Sequence, residues 1–446
     1  MLGPTKIKEL AEVALAHSKA DQTEVVIGGT DSELTRFANN YIHQNVAESD
    51  ASVRVRVVLG KRVGVAESND LSPDVVRRTV ETARVLAQLQ PENPEFAGLP
   101  SPQDIRPVEA YVERTANFSP EARARAIETI CRLANGNNLT AAGAFKTEGY
   151  ELAVANSLGT FAYHSGTRAD LHTVVMSEAG SGYAAAASTD VRDLNAEVLA
   201  REAIEKAQRA QNPIALEPGE YTVVLEEYAV SDLLHFLALM SFHALAVQEE
   251  RSFVRGHFGE AVMHPTVTLW DDGLSPETFS MPFDYEGVPK QKVTFVENGV
   301  ARAVTYDSFT AAKEAKSSTG HSLPAPNTVG PLPLHMFLAP GDASKQELIR
   351  SVTRGVLVTR FWYTRVVHPL KVIMTGMTRD GTFLIENGEV TLPIKNMRFT
   401  TSYVDALKHV KQIGRETKLA HETWLGISTR NPALLLDGFN FTGVTQ

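Results

Sequence analysis

Apolar residues at Ile7, Leu10, Ala11, Ala14 and Leu15 recur at helical spacing, so a helix is predicted over residues 5–19, followed by a strand at 24–27. Alternating or β-branched stretches at 41–46, 51–59 and 62–66, broken by turn residues such as Gly60-Lys61, predict antiparallel hairpins. Ser72-Pro73-Asp74 places a capping hydroxyl before a proline at the first helical position, which predicts a helix to about Leu89. A proline-rich connection at 90–108 precedes Ser119-Pro120-Glu121, which opens a second helix to about Ala134. Strands are expected at 141–155, 161–165, 170–177 and 182–187, with Asn156-Ser157-Leu158-Gly159 as a turn, then a helix over 193–211. Helix, sheet, helix, sheet is the order of a layered architecture in duplicate.

The pattern changes at Glu217-Pro218-Gly219-Glu220. Beyond it, strands dominate, at 221–225, 266–270, 292–296, 301–305, 334–338, 356–361, 372–375 and 382–385. Glu297-Asn298-Gly299 and Glu386-Asn387-Gly388 each lie between apolar runs, the spacing of a tight hairpin. The expected fold class is α+β: an N-terminal layered α/β domain with antiparallel strands over residues 1–216, then an antiparallel β-rich domain over 217–446.

Composition narrows the partners. An apolar fraction of 43% and a charged fraction of 22% are ordinary for globular domains, and 446 residues suffice for two large ones. The net charge of −10 argues against a phosphate-neutralising surface, so nucleic acid is not an expected partner. The N-terminus runs straight into an amphipathic helix instead of an export signal. The most apolar helix candidate, at 230–247, carries Asp232, His235 and His243, so no membrane span is expected. The single cysteine, Cys131, sits in a helical pattern and reads as a small buried residue, which suits a reducing cytoplasm.

A helical zinc peptidase needs two histidines one turn apart with a glutamate beside the first. The His-Glu pair here is His421-Glu422, and position 425 is Leu. His235 and His243, on one expected helix, would stand about 12 Å apart along its axis, too far to share an ion. His257 and His264 lie in a glycine-containing loop where nothing specifies a metal. Ser317-Ser318-Thr319-Gly320-His321-Ser322 groups hydroxyls with a histidine, but triad members usually come from separate elements, so a solvated or substrate-lining loop is expected. Asp271-Asp272 and Asp284 with Glu286 are carboxylate pairs suited to acid–base work or to gripping an amine; capping turns and pairing with arginine is their plainer role.

The order of turns is more telling than any one motif. Trp270-Asp271-Asp272-Gly273, Phe283-Asp284-Tyr285-Glu286-Gly287-Val288-Pro289, Val296-Glu297-Asn298-Gly299-Val300, Ser318-Thr319-Gly320 and Pro340-Gly341-Asp342 follow one another. They continue through Thr353-Arg354-Gly355-Val356, Gly381-Thr382-Phe383-Leu384-Ile385-Glu386-Asn387-Gly388-Glu389 and a final helix ending at Val410-Lys411-Gln412-Ile413-Gly414. This succession resembles the C-terminal half of TldD/PmbA proteins, and the N-terminal helix, Glu24-Val25-Val26 and the Gly60–Gly64 hairpin extend the likeness over nearly the whole chain. The TldD branch of that family carries a His-Glu-x-x-x-His helix and a later cysteine. By the same register Phe236 and Met240 sit near where the two ligand histidines belong, and no C-terminal cysteine follows. The resemblance is therefore to the TldE/PmbA-like branch, which lacks the metal motif.

That resemblance implies a cytoplasmic metallopeptidase complex in which a TldD-like partner supplies zinc and this chain holds no cofactor, metal ligand or catalytic residue. An unfolded or leader peptide would lie in an interior groove, gripped by strand pairing, with Arg251, Asp272, Glu286 and His321 as groove candidates. Two alternatives stand beside it. One is a homodimeric peptide-binding scaffold without catalysis; the other is a hydrolase, dependent on a metal-bearing partner, acting on an amide or glycosidic bond of a small metabolite.

Overall fold

The first apolar stripe forms the buried side of α1 (Pro4–His17), where Ile7, Leu10, Ala11 and Ala14 are all buried. The computed structural model, which describes residues 1–421 and 425–444, continues with β1 (Gln22–Ala38), β2 (Tyr41–Leu59), β3 (Arg62–Ser68) and α2 (Pro73–Leu89). After one helical turn, α3 (Glu113–Ala116), the same order repeats: α4 (Pro120–Gly136), β4 (Thr140–Asn156), β5 (Phe161–Met176), β6 (Ser181–Ser188) and α5 (Ala196–Arg209). All six strands make one antiparallel sheet in the order β3-β2-β1-β4-β5-β6, so the two copies of helix, three strands, helix meet at the β1–β4 pair. The expected duplication is present.

A close approach recurs in both copies. A Cβ on Gly64 of β3 would lie 2.1 Å from the Ala83 carbonyl oxygen of α2, and one on Gly182 of β6 would lie 2.2 Å from the Ala203 carbonyl oxygen of α5. Glycine on the strand and alanines four apart on the helix (Ala83 and Ala87, Ala203 and Ala207) let backbone rest on backbone. Cys131, buried on α4, fits its expected packing role.

The strands are longer than the apolar pattern predicts. Segments 161–165 and 170–177 are one strand, and 41–46 and 51–59 are another. Polar stretches such as Thr30-Asp31-Ser32-Glu33 have poor strand propensity, but pairing with β2 on one side and β4 on the other overrides it.

The second half contains β7 (Gly219–Leu225), α6 (Glu227–Met240), α7 (Ala244–Gln248), β8 (Leu269–Asp271), β9 (Val293–Glu297), β10 (Val300–Ala301), α8 (Ser308–Lys313) and β11 (His335–Leu338). It ends with α9 (Lys345–Arg350), β12 (Arg354–His368), β13 (Ile373–Glu386), β14 (Glu389–Pro393), β15 (Met397–Ser402), α10 (Tyr403–Lys408), β16 (Val410–His421) and β17 (Ser428–Val444). Both Asn-Gly hairpins form, with positive φ at Asn298, Gly299, Asn387 and Gly388. Most neighbours are antiparallel, while β7–β12 and β11–β17 run parallel. Because β7 pairs with β12 and also with β17, the strands β7, β12, β13, β15 and β17 return on themselves in a closed ring. Phe361, Phe399 and Phe439 are buried against one another at centroid distances of 4.4–5.5 Å.

Three expectations are corrected. The helix at 230–247 is broken at Ser241, so His235 and His243 are not on one helix; His243 caps α7 instead, its Nδ1 accepting the Ala246 amide at 3.3 Å. The final helix stops at Lys408, and Val410 to Gly414 begin β16, where Val410 and Ile413 are buried. The strand at 301–305 shrinks to Val300–Ala301. No helix among the described residues is long and apolar enough to cross a membrane.

Candidate functional site

One side of α6 packs on the ring through Leu233, Leu234, Leu237 and Ala238. Its other stripe, Tyr228, Ser231, Asp232, His235, Phe236, Leu239 and Met240, follows the three-and-four spacing of a helix face and lines a cavity of about 880 Å³. The far wall is β12 from Arg360 to Val366, with Tyr183 of β6 and the end of β16. Pockets of this size accept extended segments as well as small molecules.

Most of the charged groups on this wall are engaged within the chain. Asp232 accepts the Tyr403 hydroxyl at 2.5 Å, and burial raises its carboxyl to about 6. Tyr228 accepts Lys418 Nζ at 2.7 Å, and Lys418 also reaches Glu202 on α5 at 3.1 Å. Burial would raise Glu202, but Lys206 and Lys418 bring it down to about 2. Arg360 Nε donates to Asp380 at 2.7 Å and the guanidinium stacks 4.1 Å over Tyr183. Asp380, at positive φ, also accepts Ser181 Oγ at 2.7 Å, which ties β13 to β6.

These residues do not fit a zinc ion. Positions 236 and 240 offer an aryl ring and a thioether, and the carboxylate at 232 is taken by Tyr403. Among the described residues, no group of three His, Cys, Asp or Glu side chains is placed to hold a metal. Of the His421-Glu422 pair, His421 lines the cavity wall and Glu422 lies outside the described residues.

Beyond β12 residue Val358 the β7 neighbour ends, so among the described residues β12 pairs only with β13 from there to His368. This open edge is bulged, Tyr363 has positive φ, and Trp362, Tyr363 and Val367 are 47%, 67% and 55% exposed. An extended chain could pair there along the cavity.

The four groove candidates lie elsewhere. Glu286 is buried at the junction of the two halves, where Arg56 lies between it (3.3 Å) and Glu24 (2.5 Å). Burial and the neighbouring Glu286 push Glu24 up to about 7 despite Arg56. His321, 1% exposed, joins Asp271 at 2.9 Å and Thr319 at 2.9 Å. Burial alone would raise Asp271, but His321, His335 and Lys290 bring it down to about 2. His321 and Glu286 are brought near each other, since Asp284 of the Glu286 turn accepts the Ser322 amide at 2.8 Å. Arg251 pairs locally with Glu249 at 2.6 Å, and Asp272 caps the Leu274 amide at 3.1 Å. None of the four lines the α6 cavity. Of the residues that do, the sequence had already singled out Asp232, His235 and His421, and the family register Phe236 and Met240; the partner of Asp232, Tyr403, is 171 positions away and gave no signal.

Family models match the chain in three consecutive blocks: PmbA/TldA metallopeptidase domain 1 over 23–87, the PmbA/TldA metallopeptidase central domain over 107–211, and the PmbA/TldA metallopeptidase C-terminal domain over 218–443. The metalloprotease PmbA homolog of Haemophilus influenzae is 24% identical over 98% of this chain and 93% of its own. The uncharacterized protein MJ0231 of Methanocaldococcus jannaschii is 27% identical over 60% of this chain, which spans 63% of that relative. The crystal structure of TldE from Thermococcus kodakarensis, 21% identical, superposes with a TM-score of 0.90 over 98% of this chain and 100% of that one, so the fold is shared. The chain belongs to the PmbA/TldD metallopeptidase family.

Proposed function

We propose that this chain is the metal-free subunit of a cytoplasmic TldD/TldE-type peptidase complex that processes unfolded or leader peptides, with zinc held by a TldD-like partner. The observation that carries the reading is α6: Phe236 and Met240 stand near where the resemblance places histidine ligands, and the Asp232 carboxylate between cavity and core is committed to Tyr403. The open β12 edge supports the peptide part. Main-chain pairing along an edge recognises a backbone with little regard to side chains, and α6 would floor the groove beside it.

Co-expression with a TldD-like chain is expected to yield one species on size exclusion, with equal amounts of both chains. Clean separation of the two, with this chain eluting as a stable homodimer that still binds an extended peptide, would favour the scaffold alternative.

A further inference from the structure

The first sheet covers one face with α1, α2, α4 and α5; its other face meets the C-terminal half. At one end of that junction Phe283, fully buried, packs on Val26, Leu152, Val154 and Ala162. Beside this cluster, and lined in part by the same Val26 and Leu152, lies a hollow of about 540 Å³ that shares no lining residue with the α6 cavity.

Strand alternation builds its floor. Gly28, Leu152 and His164 form one cross-strand row, Tyr150 and Gly166 the next, Glu148 and Arg168 the one after. Gly28 leaves the space open, for a Cβ there would meet only the Glu151 carbonyl oxygen, 3.9 Å away. Tyr150 lies across β5, where a Cβ on Gly166 would fall 2.4 Å from its hydroxyl oxygen. The Arg168 guanidinium stacks 4.4 Å over the Tyr150 ring and 5.4 Å from the Phe279 ring in the roof. The rest of the roof is mostly apolar, with Met281, Leu323 and Leu334 beside Tyr285 and His335.

Among the described residues, the charges at the Arg168 end are not balanced. Glu148 takes Arg168 Nη1 at 3.1 Å but is shared with Lys146, so two cations face one carboxylate. His164 and His335 add no charge: burial pulls them down to about 4 and about 3, and each bonds a backbone carbonyl through Nε2. Asp50 and the Arg54–Glu67 pair stand at the exposed mouth, and the Glu151 carboxylate turns to the Leu2 and Gly3 amides. Arg168 Nε is buried and has no hydrogen-bond partner among the described residues, an arrangement that costs about 1–3 kcal/mol unless a ligand supplies the acceptor.

We infer that this hollow is a binding site for an apolar carboxylate, either the hydrophobic C-terminal residue of a peptide or a free hydrophobic amino-acid derivative. Arg168 takes the carboxylate through the guanidinium edge that bears Nε, a geometry lysine cannot supply, and the side chain fills the space above Gly28 between Leu152 and the roof. The site needs no metal and no second chain, so its failure would leave the subunit reading untouched.

Calorimetric titration of the full chain tests it with N-acetyl-Ala-Ala-Phe as the free acid, the same tripeptide as its amide, and N-acetylphenylalanine. The free acid is expected to bind at least about tenfold more tightly than the amide. Equal affinity of N-acetylphenylalanine would assign the site to a free derivative, and binding of the tripeptide acid alone would assign it to a peptide end. Arg168→Met should bring acid and amide to the same affinity. Gly28→Val, which fills the hollow without touching Arg168, should weaken both at least about tenfold and decides the matter if the arginine variant does not fold. Absence of binding to the unaltered chain, equal binding of acid and amide to it, or a preference for the acid that survives Arg168→Met, would overturn the inference.

Discussion

Replacing Arg56 with methionine is expected to lower the unfolding free energy by about 3–5 kcal/mol at pH 8, the usual loss when one partner of a buried ion cluster is removed. Arg56 is 9% exposed and stands between Glu24 of its own sheet, 2% exposed, and Glu286 of the C-terminal half, 6% exposed. Without it two carboxylates would share a dry junction. The loss should depend on pH with a definite sign. Glu24 is raised to about 7 in the folded chain against an ordinary 4.5, so between those values the folded state binds a proton that the unfolded state lacks. Stability from this group therefore falls as pH rises through the window, and is recovered on acidification. Removing the cation that opposes the shift extends the window upward. Urea unfolding should show a smaller difference between variant and parent at pH 5 than at pH 8. A loss under about 1 kcal/mol, or one equal at both pH values, would mean that the junction does not rest on this cluster.

Gly64→Ala and Gly182→Ala are each expected to cost more than about 3 kcal/mol, above the usual range for overpacking. The added carbon would sit 2.1 Å and 2.2 Å from helix carbonyl oxygens, which side-chain rearrangement cannot relieve because the obstacle is backbone. The two losses should be alike, since each glycine seats the closing helix of one copy of the repeat. Gly28→Ala provides the contrast: its Cβ meets no atom closer than 3.9 Å, so little change is expected. Thermal unfolding of the three variants checks this, and a tolerated alanine at 64 would refute the proposed backbone contact.

The elements legible in the sequence were those with local causes. Proline in the first turn starts both α2 and α4, the Ser119 hydroxyl caps α4 by accepting the Ala122 amide while the Ser72 hydroxyl makes no such bond on α2, and both Asn-Gly pairs turn as their positive φ demands. Features set by distant partners were not. The polar middle of β1 is a strand because two neighbours pair with it, and Val410 starts a strand because β17 runs alongside. Glu286 stood out as a loop carboxylate, yet its meaning comes from Arg56, 230 positions away. Arg251 and Asp272, also singled out, serve near neighbours at Glu249 and Leu274. Arg168 gave no signal at all: a lone arginine in a strand acquires a role only when β4 brings Tyr150 beneath it and the C-terminal half lays Phe279 above.

The central claim, that this chain works without its own metal beside a chain that has one, is tested most directly by zinc content. The chain alone, and its complex with a TldD-like partner, would be loaded with zinc, dialysed exhaustively and measured by elemental analysis alongside peptidase activity. The lone chain is expected to retain no zinc and cleave nothing, with about one zinc per complex and activity appearing only with the partner. One tightly bound zinc in the lone chain, accompanied by peptide cleavage, would contradict the account.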